Sequence, residues 1–174
     1  EQSVKRLHPW IFSGAIHSIA GNPDDGDFVE VHSFQGDYLC SGHYNKGSIA
    51  IRILTFLGIN HEEDLWHLKL SKAWEFRKSN LLCTIDRTNV FRLVHGEGDG
   101  LPGLIIDFYN GTAVFQAHSA GMYRNKQLIT NILKDILGES LQAVYDKSEG
   151  TLPGAQKRYA TNGYLIGNSA PGIV

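Results

Sequence analysis

The string Gly96-Glu97-Gly98-Asp99-Gly100 carries the residue types most often associated with chemistry in this 174-residue chain. Glycines after an apolar strand can cradle a phosphate or a nucleotide, provided a helix starts at once so that its terminal amides and dipole meet the ligand. Here Leu101-Pro102-Gly103 follows and then the apolar run Leu104-Ile105-Ile106, which reads as a strand. Glu97 and Asp99 would repel phosphate, and Asp107 lies too close to serve as the acidic residue expected about 20 positions on. Gly96, Glu97, Gly98, Asp99, Gly100, Pro102 and Gly103 are therefore expected to form a structural loop. Eight histidines, at 8, 17, 32, 43, 61, 67, 95 and 118, show no HExxH or HxH spacing, so no metal site is expected. Cys40 and Cys83 sit within or beside strand-like stretches and read as packing residues, and no G-x-S-x-G elbow is present.

A second constellation has the chemistry of nucleic-acid contact. Lys5, Arg6 and His8 precede Trp10 and Phe12, while Tyr44, Asn45, Lys46, Ser48 and Arg52 surround a turn. Cations hold phosphates, and aromatic or guanidinium planes stack unpaired bases. The competing reading makes Trp10 and Phe12 core residues and the cations a solvated face, and composition leaves the two readings equal. The formal net charge is −2, and the first 80 residues carry 8 Lys and Arg against 10 Asp and Glu, so counterion release over the whole surface is excluded as the source of affinity.

These residues must be positioned by two kinds of element. Up to about Phe56 the chain is β-rich: Asp27 to Phe34, Tyr38 to Tyr44 and Ser48 to Phe56 alternate in period two between the turns Gln35-Gly36-Asp37 and Asn45-Lys46-Gly47, which suggests a small barrel. From Glu62 to about Leu82 the apolar period becomes helical, with carboxylates at the start and Arg77 and Lys78 near the end, as a helix dipole favours. A strand or bent strand pair is expected over Thr84 to His95. A hairpin across Asn110-Gly111 joins Leu104–Phe108 to Thr112–Ala117, a helix follows from Met122 to Leu137, and Leu141 to Tyr145 closes a β-β-α-β unit. From Gly150 onward the chain reads as loop.

The stretches His8-Pro9-Trp10-Ile11-Phe12-Ser13-Gly14, Gly42-His43-Tyr44 with Gly47-Ser48-Ile49-Ala50-Ile51-Arg52, and above all Arg92 to Asp107 resemble the front part of the bacterial S-adenosylmethionine-dependent large-subunit ribosomal RNA cytosine-5 methyltransferases. The resemblance runs from about Gln2 to the last residues. It implies a PUA domain, a small RNA-binding pseudobarrel, then a central β-α domain, and then a Rossmann-like catalytic domain beyond Val174 that would hold the cofactor glycines and the catalytic cysteine. Neither Cys40 nor Cys83 stands in the Pro-Cys or Thr-Cys setting of that family.

The expected fold is thus mixed α/β (α+β): a PUA-like β pseudobarrel at 1–60, a linking helix at 61–82, a central β-α domain at 83–150 and a loop or tail at 151–174, with the catalytic domain absent. The expected function is that of the RNA-binding region of an rRNA (cytosine-C5) methyltransferase, inactive by itself, with Lys5, Arg6, Trp10, Tyr44, Asn45, Lys46 and Arg52 contacting RNA. No cofactor is expected in this stretch, and S-adenosylmethionine is expected for the full-length protein. Expected partners are rRNA and the protein's own methyltransferase domain, with oligomerisation left open and no membrane. The start has no apolar signal-peptide core, so the cytoplasm is the expected compartment. A protein-docking scaffold that touches RNA little is the alternative, supported by the near-neutral charge.

Overall fold

Period-two alternation and glycine turns build the first of two units, and a helical period with a crossover builds the second. The computed structural model describes residues 2–59, 62–80, 88–158 and 160–168, and the chain divides into units Glu1–His61 and Glu62–Val174.

In the first unit a short helix α1 (Gln2–Lys5) leads to strands β1 (Trp10–Phe12), β2 (Phe28–His32), β3 (Tyr38–Tyr44) and β4 (Ile49–Thr55). They form one antiparallel sheet in the order β1-β4-β3-β2. One face carries the core of Val4, Ile11, Cys40, Ile51 and Ile53, with Val29, Val31, Leu39 and Tyr44 half-buried against it. Gly42 is required where β3 meets β4, because a Cβ there would lie 2.1 Å from the Arg52 carbonyl oxygen.

Alternation alone does not describe this sheet. The register shifts between Ile11 and Phe12, so that Ile11 opposes Ile51 and Phe12 opposes Ile49. It shifts again between Val31 and His32, which oppose Cys40 and Tyr38. A third shift falls between Ser41 and Gly42 in the β3–β4 ladder, so all three strand pairs depart from an ideal register.

The second unit opens with α2 (Glu62–Asn80), whose buried positions are Leu65, Trp66, Leu70, Ala73 and Arg77. Strands β5 (Val90–His95), β6 (Leu104–Tyr109), β7 (Thr112–Ala117), β8 (Ala143–Asp146) and β9 (Gly163–Ile166) make a sheet in that order. Among the described strands only β7 and β8 run parallel, which requires a crossover, supplied by α3 (Ala120–Arg124) and α4 (Lys126–Leu137). Ser119 caps α3 by accepting from the Met122 amide. Leu104, Ile106, Phe115, Met122, Ile129 and Val144 are fully enclosed. The helix expected as a link packs within this unit, against α4 and β5.

Three local expectations are corrected. The helix expected from Met122 to Leu137 is two helices meeting at Asn125, whose side chain donates to the Gly121 carbonyl. The segment expected as tail contributes β9, because Gly163–Ile166 satisfies the otherwise open edge of β8. The strand expected from Thr84 is described only over Val90–His95, and its first part, with Cys83, lies outside the described residues.

Candidate nucleic-acid interface

The structure distributes the candidate RNA contacts of the first unit over three places. Lys5 and Arg6 follow the core residue Val4 and are exposed, and neither has an ion-pair or hydrogen-bond partner among the described residues. Trp10 and Arg52 are direct cross-strand neighbours, and Arg52 also opposes His43, so Trp10, Arg52 and His43 form a row on the sheet face opposite the core. His8 holds the approach to this row, its Nδ1 accepting from the Trp10 amide at 3.2 Å and its ring edge-on to the indole.

The β3–β4 turn is the third place. Lys46 Nζ donates to Asp24 at 2.8 Å and its amide donates to Asp25 at 2.6 Å, while Asn45 Nδ2 reaches the Ile49 carbonyl at 3.4 Å. The Asp24 carboxylate raises the pKa of this exposed ammonium. Tyr44 points to the other side of β3 from His43 and packs on the core.

Sequence reasoning missed a cleft on the core-bearing side. It encloses about 600 Å³, with Val29, Val31 and Ile51 among its aliphatic walls and Tyr44 and Phe12 among its aromatics. The segment Ala15 to Ala20 forms its other border. Phe34, at the β2–β3 turn, stands 86% exposed at the lining and meets the His17 ring edge-on, with centroids 6.2 Å apart. His32 and Glu30 also line it: His32 Nε2 lies 3.1 Å from the Glu30 carboxylate and Nδ1 3.2 Å from the Gly36 carbonyl. Both ring nitrogens face acceptors, so the Glu30 carboxylate first and the Gly36 carbonyl second raise the His32 pKa. No single-strand pattern signals this cleft, because its lining comes from β1, β2, β3, β4 and the segment Ala15 to Ala20 together.

The glycine loop in the second unit is tied down from its carboxylates. Gly96–Asp99 makes a turn of 3-10 helix, and Gly100 then adopts φ 66° in the left-handed region. The two oxygens of Asp99 accept from Arg77 Nη1 at 2.5 Å and Nη2 at 2.7 Å, and one also accepts from the His95 amide at 2.6 Å. Arg77 Nε donates to the Arg92 carbonyl at 3.0 Å, so the buried guanidinium joins α2, β5 and the loop. Pro102 is buried, and beyond Gly103 the chain enters β6. A methyl-donor nucleotide does not fit these residues, since no helix begins after the glycines and Asp99 is committed to Arg77. Among the described residues no three of His, Cys, Asp and Glu converge as metal ligands, and no helix is long and apolar enough to cross a membrane.

Comparison with known proteins adds an independent line. Residues 1–56 match the family model described as a PUA-like domain. The whole chain is 30% identical to Ribosomal RNA large subunit methyltransferase I of Serratia proteamaculans, and 86% of it is 38% identical to the Aeromonas salmonicida protein of that name. The chain spans 43% of the length of the first relative and 37% of the second. Among solved structures, a protein from Streptococcus mutans described as a SAM-dependent methyltransferase superposes with a TM-score of 0.75 at 17% identity, covering 98% of this chain and 42% of that one. Another, described as a methyltransferase complexed with SAH, gives 0.78 at 17% identity, covering 98% of this chain and 41% of that one. At such identity the likeness is one of fold.

Proposed function

We propose, for a chain whose first 56 residues belong to the PUA-like domain family and whose full length is homologous to part of the large-subunit ribosomal RNA methyltransferase I proteins, that it is the RNA-engaging region of a methyltransferase acting on large-subunit rRNA. The single observation carrying this reading is that the first unit combines exposed Lys5 and Arg6, without an ion-pair partner among the described residues, with a cleft bordered by exposed aromatics. Phosphates meet the cations and unpaired bases meet the aromatic faces, the division of labour of single-strand RNA recognition.

The chemistry belongs to the remaining length of the full protein, in the cytoplasm, with S-adenosylmethionine as methyl donor and a cytosine C5 of rRNA as acceptor. This region holds the RNA while the target base leaves its stack for that catalytic part. Trp10 and Arg52 form a second contact row, and Asn45 and Lys46 a weaker one, because Lys46 already serves Asp24. The Gly96–Gly103 loop keeps β5, α2 and β6 together and makes no substrate contact.

The test is a fluorescence-anisotropy titration of the chain with rRNA fragments at several salt concentrations. Saturable binding is expected, and Lys5→Ala with Arg6→Ala should flatten the log-log salt dependence by about 1.4, since a single-strand phosphate contact contributes about 0.7 each. The near-neutral charge favours a second reading, a docking module for the catalytic part. That reading predicts no saturable, salt-sensitive signal and would replace the first if none is found.

A further inference from the structure

The cleft of the first unit has the shape and chemistry of a receptor for one flat, weakly polar group. Its volume of about 600 Å³ lies within the range of small-molecule sites, far above a packing defect. Of its aliphatic walls, Ile51 is buried but Val29 and Val31 remain only half-buried without an occupant, an arrangement that costs stability in a unit of this size. Phe34 and Phe12 stay 86% and 47% exposed at the lining, where a stacking partner would cover them.

Two polar side chains there are uncommitted. Among the described residues the His17 ring nitrogens and the Ser18 hydroxyl have no hydrogen-bond partner. Glu30 is the only carboxylate among the described lining residues, and its side chain is already engaged by His32 Nε2 at 3.1 Å. Val4 lines the cleft too, and the next two residues are the cations Lys5 and Arg6, which have no ion-pair partner among the described residues. An anionic polymer carrying flat aromatic groups matches this distribution. A neutral apolar peptide would leave the cations and His17 unused.

We propose that the cleft takes one unpaired nucleobase of the bound RNA, its faces against Val31, Ile51 and Phe34, its polar edge on His17 and Ser18, and its neighbouring phosphates on Lys5 and Arg6. The inference rests on the reading of this unit as RNA-binding and adds a base-sized subsite distinct from the nucleotide to be methylated. No covalent step is involved.

The experiment uses the whole chain and three RNA hairpins of one sequence, carrying a bulged 2-aminopurine, an abasic bulge or no bulge. The 2-aminopurine hairpin is expected to bind about tenfold more tightly than the abasic one, the scale of a single base stacked on an aromatic ring. Its fluorescence and the methyl resonances of Val31 and Ile51 should shift together on binding. Ser18→Trp, which places an indole at the cleft border, and Phe34→Ala, which removes an exposed ring, should each reduce that tenfold preference by at least threefold. Phe34 is exposed enough that its removal leaves the fold intact, so this variant decides the matter should Ser18→Trp fail to fold. If RNA binds with its salt dependence but the preference is absent, or survives both substitutions, the base subsite is wrong while the RNA reading stands. If no hairpin binds saturably, both fall.

Discussion

The two units bury their apolar side chains to different extents. In the second, Leu104, Ile106, Phe115 and Val144 have no exposed surface, and the buried charge Arg77 is met by Asp99 and by a main-chain carbonyl. In the first, Val29, Val31 and Leu39 remain half-buried beside a cleft, and Phe12 and Phe34 are exposed. A closed core with its charges satisfied holds a fold, whereas an incompletely packed side leaves surface that a ligand can cover. On the proposed function, the contrast makes the second unit the chief source of stability and the first the expected place of recognition.

Four measurements break or sharpen this contrast. The largest effect is expected at the buried ion pair: Arg77→Ala leaves the Asp99 carboxylate buried beside the glycine loop and should cost about 3–5 kcal/mol in chemical denaturation. A loss below about 1 kcal/mol would show that the loop does not depend on the guanidinium. Next, truncating matched positions compares the cores directly. Ile106→Ala should cost about 2–5 kcal/mol, because its site has no exposed surface to relax into. Val31→Ala, already half-exposed in the cleft, should cost about 1 kcal/mol or less. Equal losses would remove the distinction between the units.

A smaller effect separates the cations of the first unit. Lys5→Ala should weaken RNA binding and its salt dependence more than Lys46→Ala, since Lys46 must first leave Asp24 while Lys5 has no competing partner among the described residues. The reverse order would move the phosphate track to the β3–β4 turn. The smallest effect concerns Cys40, whose thiol burial pushes from 9.0 up to about 11. A raised acid pKa means that the folded state holds its proton longer than the unfolded state. Its contribution is therefore complete below about pH 9 and is lost as pH rises from there through about 11. In a Cys83→Ser background, iodoacetamide labelling of the native chain at pH 8 should be far slower than labelling in denaturant.

Much of the architecture was legible because local signals agreed with the final packing. Thr112–Ala117 and Tyr38–Tyr44 occupy the spans their alternation predicts, and Asn110-Gly111 makes the hairpin turn between β6 and β7. The glycine loop's descent into a strand was equally clear, because Leu101-Pro102-Gly103 offers no helix start. For Arg77 the sequence offered only a cation near a helix end, as the dipole favours; its burial and its pairing with a carboxylate 22 positions away were not legible there. The strand β9 was missed because four residues among glycines and asparagines carry too little periodicity to stand out, and only an unfilled sheet edge recruits them.

Composition, turn residues and apolar period by themselves determined that this chain would make an antiparallel β unit followed by a β-α unit, since those signals act over a few neighbouring residues. Tertiary structure alone decided that Lys5 and Arg6 have no ion-pair partner among the described residues while Lys46 meets Asp24, that Tyr44 lines a cleft while Trp10 and Arg52 occupy the opposite face, and that Arg77 anchors Asp99. Strand register and ion pairing between distant residues follow from which hydrogen bonds and cores can be satisfied together, and that requirement exists only once the strands and helices have met.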